Sequence, residues 1–190
     1  MTLIRIPPQC NIISLGLYNE VTFEQELQYV INNRCNIYAY DMNEQLPKTK
    51  EILEKIRTKS RVATISSTTD ENKNMYTIDY LMELEGISEF EILKVDIEGE
   101  ITEKENNFKT GSEFDVIPPL LHRHKPAQIM IEIHGTPSET ASLLRVISNQ
   151  GYWLYSYEIN GAWHNLCEFS FLHETAFTRY GAIPMAKYLN

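Results

Sequence analysis

Leu93-Lys94-Val95-Asp96-Ile97-Glu98-Gly99 is the stretch on which the fold turns. Residues 91–96 read as a short apolar strand that breaks off at an acid, and two residues later comes another acid followed by glycine. Alternation with a period of two puts Asp96 and Glu98 on one side, toward the end of the strand. Three tasks suit such a pair: binding a ligand's ammonium group, acting as general base, or holding a divalent cation. The plain alternative is an acidic loop solvated by water.

Working outward, short apolar runs alternate with helical patterns. Residues 11–16 form a buried strand ending at Gly16, and Thr22 caps a helix with Gln25 at capping-box distance. Phe23, Leu27, Val30 and Ile31 follow at helical spacing. Residues 36–40 make a second strand ending at Asp41, and residues 47–59 a surface helix with Ile52, Leu53 and Ile56 on one face. A third strand spans 61–66, a polar loop 67–74, and a helix begins at Thr77 and ends near Gly86. Beyond the central stretch, Pro118-Pro119 opens a helix over 117–124, and residues 128–133 form the fifth strand. Ser138 caps a helix that Gly151 ends. Residues 153–157 and 168–172 then pair antiparallel around Asn160-Gly161.

Five strand–helix alternations followed by a terminal hairpin predict an α/β, Rossmann-like, doubly wound and mostly parallel sheet with a C-terminal antiparallel hairpin. The whole of residues 1–190 reads as one domain, since no Gly-, Pro- or Ser-rich linker divides it. At this length roughly 70% of the unfolded chain's surface is buried on folding. A net charge of −9 argues against an extended nucleic-acid surface, which needs clustered Lys and Arg. No run approaches the ~20 apolar residues of a membrane span. Cys10, Cys35 and Cys167, widely spaced and odd in number, read as three buried or half-buried thiols of a reducing compartment. The chain is cytoplasmic if Met1 is its native start, and a secretory-pathway location follows if a leader once preceded it. Oligomeric state is not indicated.

In a doubly wound sheet, ligands sit outside the carboxyl ends of the strands. That rule selects Gly16, Asp41, Ser66, Asp96 and Glu132. Asp41 suits the hydroxyls of a ribose, or simply opens a loop. Gly16 stands alone, without the neighbouring glycines that a pyrophosphate needs, and Glu20 would repel a phosphate. This disfavours a nicotinamide or flavin dinucleotide and suits a cationic cofactor without phosphates. Glu132 and His134 alternate onto one side at the end of the fifth strand. A carboxylate in an apolar strand is costly to bury without a partner, and His134 either shuttles a proton, ligates a metal or bonds a backbone carbonyl. His122 and His124 read as helix-end residues favoured by the dipole.

The order of these motifs resembles the class I S-adenosylmethionine-dependent methyltransferases, and within them the FkbM-like branch and the small methyltransferase domain family 22. Residues 93–99 are similar to the hydrophobic-Lys-hydrophobic-Asp-hydrophobic-Glu-Gly signature of both. Ser14-Leu15-Gly16, Thr22-Phe23-Glu24, Cys35 and Tyr40-Asp41 resemble the smaller family's opening. The segments around Gln128, Glu132-Ile133-His134, Gly151-Tyr152 and Glu168-Phe169 resemble its later parts. The resemblance covers roughly residues 11–172.

It implies methyl transfer from S-adenosylmethionine, with Gly16, Leu17 and Asn19 at the methionine part and Asp41 with Met42 at the ribose. Ser66 and Ser67 would face the adenine, and Asp96 and Glu98 would stand near the donor. Asp96, Glu132 and His134 would then be the catalytic candidates, or ligands of a divalent cation. The acceptor it points to is a hydroxyl of a small or sugar-like molecule. Two departures, the missing glycines after Gly16 and Ile101 where relatives carry another acid, keep a second expectation open: a catalytically silent domain that binds cofactor or a protein partner.

Overall fold

The computed structural model describes residues 5–97, 112–161 and 166–185. Seven strands form one mostly parallel sheet in the order β3-β2-β1-β6-β7-β9-β8, flanked by helices. The expected Rossmann-like α/β class with an antiparallel C-terminal pair is the observed one. By their contacts, residues 1–94 and 95–190 form two compact units.

In the first unit, β1 (Cys10–Leu15) and β2 (Cys35–Asp41) run parallel, and β3 (Thr58–Val62) continues the pairing. β1 is buried on both faces, which is why it reads as a continuous apolar run. α1 (Thr22–Val30) turns Glu24, Leu27 and Gln28 inward, so two of its three buried residues are polar. The buried Gln28 amide nitrogen donates to the carbonyls of Cys35 and Ile56, at 3.0 and 2.6 Å. Thr22 does not cap this helix. Val21 is the N-cap residue and uses no side chain, while Glu20 accepts the Thr22 amide at 2.9 Å.

The expected helix over 47–59 ends earlier, as α2 (Pro47–Lys55). Arg57 adopts a left-handed φ of 53°, and its guanidinium holds the reversal by donating to the Asn33 carbonyl and the Asn36 side chain. The third strand consequently starts at Thr58, three residues before its expected place. β4 (Thr64–Ile65) and β5 (Met75–Tyr76) form a separate small parallel pair. α3 (Ile78–Glu85) is capped by Thr77, whose hydroxyl accepts the Tyr80 amide, and Gly86 ends it as expected. β6 (Ile92–Val95) is the strand of the signature stretch.

Cys10 and Cys35 stand opposite each other in the β1–β2 register and form a disulfide, which corrects the expectation of three thiols; Cys167 is free. The spacing of 25 residues concealed the pairing because only strand register brings the two sulfurs together.

In the second unit, α4 (Glu113–Arg123) begins four residues before the expected start and keeps Pro118 and Pro119 inside the helix. The prolines remove two backbone donors, while the buried stripe Val116, Ile117, Leu120 and Leu121 holds the helix against its core. β7 (Gln128–Ile133) pairs antiparallel with β9 (Cys167–His173), which pairs in turn with β8 (Tyr152–Ile159). α5 (Pro137–Asn149) is capped by Thr136 rather than Ser138. Thr136 and Glu139 form a reciprocal capping box with Pro137 in the first turn. A short α6 (Phe177–Tyr180) closes the described chain. Among the described residues no helix is long and apolar enough to cross a membrane.

Candidate active site

In the first unit, β1 has β2 on one side and β6 on the other, so the strand order reverses beside its carboxyl end. Chain crossovers leave in opposite directions there and open a crevice. Gly16 occupies that end with φ 81°, a conformation that suits glycine because it has no Cβ, and its amide donates to the Tyr40 carbonyl at 2.8 Å. Tyr18 and Asn19 continue the turn with left-handed φ of 48° and 59°.

Asp41 holds this strained turn in place. Its Oδ2 accepts the amides of Leu17 and Tyr18 at 2.8 and 2.7 Å, and its Oδ1 accepts the amide of Asn43 at 2.7 Å. The side chain of Asn19 joins the same two loops: its Oδ1 accepts the Leu46 amide, while the Asn19 amide donates to Gln45. The sequence offered Asp41 either for a ribose or as the acid that opens a loop; in the structure three main-chain amides donate to it. Met42 beside it is exposed.

Lys94, a member of the signature stretch to which no task was assigned, lies under the turn and donates to the carbonyls of Gly16 and Leu15. Glu24 is also part of this group: it is 1% exposed and accepts the Ser14 hydroxyl at 2.6 Å. Burial pushes its carboxyl above the ordinary range, and the Ser14 bond and the Lys94 charge offset part of that. Lys94 was hidden in plain view as the one charged residue of an apolar strand; Glu24 lay in a helix whose other acid, Glu26, faces water. Ser66 and Ser67 follow β4 of the small sheet rather than a strand of the main one, and the Ser66 amide donates to the Tyr76 carbonyl.

The second unit gathers the other candidates. One ligand atom each from Asp96, Glu132 and His134 lies within 4.8 Å of the others. His134 Nε2 is 3.9 Å from Asp96 Oδ1. Behind the imidazole stands Glu113, which is fully buried and which sequence reading did not select. Its Oε1 accepts the His134 amide at 2.5 Å and lies 3.5 Å from Nδ1 of the same residue. The only signal in the sequence was an acid ahead of an apolar helical run. Gly135 permits the close approach of α4, since a Cβ there would meet the Phe114 ring at 2.5 Å.

Burial acts to lower the pKa of His134, but the bond its ring makes to the Glu113 carboxylate and the charges of Glu113, Glu132 and Asp96 outweigh it, and the net shift is upward. Glu132 is also held above its ordinary range, first by burial and then by the charge of Asp96, although Asn160 donates to its Oε1 at 3.2 Å. Such a group can accept or release a proton and presents oxygen and nitrogen donors to a ligand. Glu98 and Ile101 lie outside the described residues. His122 sits in the last turn of α4 and His124 at its C-cap, as helix-end residues.

Comparison with known proteins places these features in a family. The model of the methyltransferase FkbM domain matches residues 5–100, just over half of the chain. Among solved structures, the precorrin-6y C5,15-methyltransferase of Geobacter metallireducens superposes with a TM-score of 0.50 at 12% identity. That match covers 90% of this chain and 84% of the other. Human methyltransferase-like protein 13, solved in complex with SAH, gives a TM-score of 0.52 at 14% identity, covering 98% of this chain and 77% of that one. No curated protein matches the sequence significantly. At such identities the structural likeness concerns the fold. Family is decided by the domain match together with the glycine turn, the Asp41 bonds and the Lys94–Asp96 signature that lie within its span: the chain belongs to the FkbM methyltransferase family.

Proposed function

We propose that this protein transfers a methyl group from S-adenosylmethionine to a hydroxyl oxygen of a small or sugar-like acceptor. The observation that carries the reading is the turn at Gly16. It is built at the reversal of strand order, shaped by Asp41 and supported by Lys94, in a chain of the FkbM methyltransferase family. When bound, S-adenosylmethionine supplies a methyl already activated by its sulfonium. The residues therefore have two tasks, to align the acceptor and to take its proton. In balance, the acceptor oxygen forms the new bond to the methyl carbon, the sulfur–carbon bond breaks, and the acceptor's proton leaves to a base.

Glu132 and His134, with Asp96 beside them, are the groups suited to receive that proton. The Cys10–Cys35 disulfide favours a compartment in which disulfides persist, the secretory pathway among them.

A second reading is a silent relative that binds the cofactor without turnover. One observation favours it: Ile101 stands where relatives carry another acid, so the loop after the signature lacks a group the family places there. Isothermal titration of the full chain with S-adenosylmethionine tests the shared premise, and absence of binding at about 1 mM cofactor removes both readings. Labelled methyl transfer to a panel of hydroxyl acceptors then separates them. Asp96→Ala is expected to keep cofactor affinity and lose transfer, whereas wild-type binding without transfer to any acceptor leaves the silent reading.

A further inference from the structure

We propose that Asp96, Glu132 and His134 bind a first-row divalent cation, with Glu113 as the carboxylate that orients the histidine ligand. Three observations carry this. One donor atom from each residue already lies within 4.8 Å of the others. Donors around such a cation sit about 2.0–2.2 Å from it and hence roughly 3–3.5 Å apart, so binding requires a closing movement of about an ångström. Side-chain rotations supply a movement of that size. The set also mixes one imidazole nitrogen with carboxylate oxygens. Mg2+ and Ca2+ prefer oxygen alone, so the imidazole shifts the choice toward Mn2+, Fe2+ or Zn2+.

Glu113 is the independent observation. It is fully buried, and its Oε2 has no hydrogen-bond partner. Its Oε1 receives the His134 amide and faces Nδ1 of the ring at 3.5 Å, while Nε2 is the ring nitrogen toward Asp96. A buried carboxylate behind one ring nitrogen, with Asp96 toward the other and Glu132 in the same cluster, is the arrangement in which metal-binding histidines are held. Without a cation, three carboxylates crowd one imidazole, and like charges at this separation repel. A divalent ion reverses the sign of that interaction and gives Glu113 a purpose at the cost of its desolvation.

With three protein donors the ion keeps open positions for water or for an acceptor hydroxyl. There it would lower the hydroxyl's pKa by withdrawing charge, and a second oxygen of Asp96 or Glu132 would remain to take the proton. This last role rests on the methyl-transfer reading; the binding itself does not.

The test uses the full chain, stripped with chelator and titrated with Mn2+ in the absence of cofactor and acceptor. Free Mn2+ is followed by electron paramagnetic resonance and heat by calorimetry. We expect one saturable Mn2+ per chain, displaced by Zn2+. Glu132→Gln and His134→Asn should each abolish saturation. Glu113→Gln, which leaves all three ligands in place, should weaken binding on the order of 10- to 100-fold. Glu158→Gln, at an exposed position of β8, should leave it unchanged. Circular dichroism on each variant identifies any that fails to fold, and the Glu132 and His134 substitutions then serve as alternates for one another. No saturable binding of Mn2+ or Zn2+ to wild type overturns the proposal, as does binding that persists undiminished in folded Glu132→Gln and His134→Asn. Cofactor binding without Mn2+ binding would remove this proposal alone. Mn2+ binding without cofactor binding would remove the methyl-transfer reading alone.

Discussion

Asp41 and Lys94 show how a single side chain acquires a task from its neighbours' main chain. A carboxylate that accepts two amides from a left-handed turn fixes the turn's path, and an ammonium on the carbonyls of Leu15 and Gly16 fixes its base. His173 does comparable work in the second unit. It is 5% exposed, with Nε2 against the Gln150 carbonyl at 3.0 Å and Nδ1 against the Thr175 hydroxyl at 2.7 Å. Burial lowers its pKa, so the folded protein binds fewer protons there than the unfolded chain does. Stability contributed by neutral His173 is therefore present above the unfolded value of about 6.5 and is lost as pH falls below it. Urea melts between pH 7.5 and 5 should show a decline in unfolding free energy that is smaller in His173→Gln. An equal decline in both proteins would count against His173 as its source.

Among the elements, β1 and β2 are tied twice, by their parallel ladder and by the disulfide across it. Closing a loop of 25 residues in the unfolded chain is worth about 3.5 kcal/mol in the chain-entropy account. Cys10→Ser is expected to lower the unfolding free energy by roughly that amount under oxidising conditions and by much less under reducing ones. Equal stability of the two proteins in oxidising buffer would show that the sulfurs are unpaired in solution. The helices illustrate which boundaries composition can reveal. Gly86 ended α3 where expected because a left-handed residue at a helix end is a local demand. The end of α2 and the start of α4 were misplaced because Arg57 is held by Asn33 and Asn36, and α4 by its packing, neither of which local spacing contains.

For the molecule as a whole, a bound cofactor must add to stability, since the folded chain alone offers the turn. At 100 times its dissociation constant a ligand contributes about 2.7 kcal/mol, which for a protein of this size raises Tm by roughly 5–10 °C. A thermal scan with S-adenosylmethionine should show that rise, and an unchanged Tm at saturating cofactor would contradict it. The fold class was legible because apolar strands buried on both faces, alternating with amphipathic helices, leave few other arrangements. The site was legible in part. Gly16, Asp41, Asp96, Glu132 and His134 could be selected because strand carboxyl ends can be read from local pattern. Sequence alone thus determined the order of the principal strands and helices, though not the small β4–β5 pair, and the chemical character of their tips, both consequences of periodicity and residue type. Tertiary structure alone decided that Asp41 closes on the turn, that Lys94 props it, that Cys10 meets Cys35 and that Glu113 stands behind His134. Each joins residues distant along the chain, and only register and packing bring such pairs within hydrogen-bonding or bonding distance.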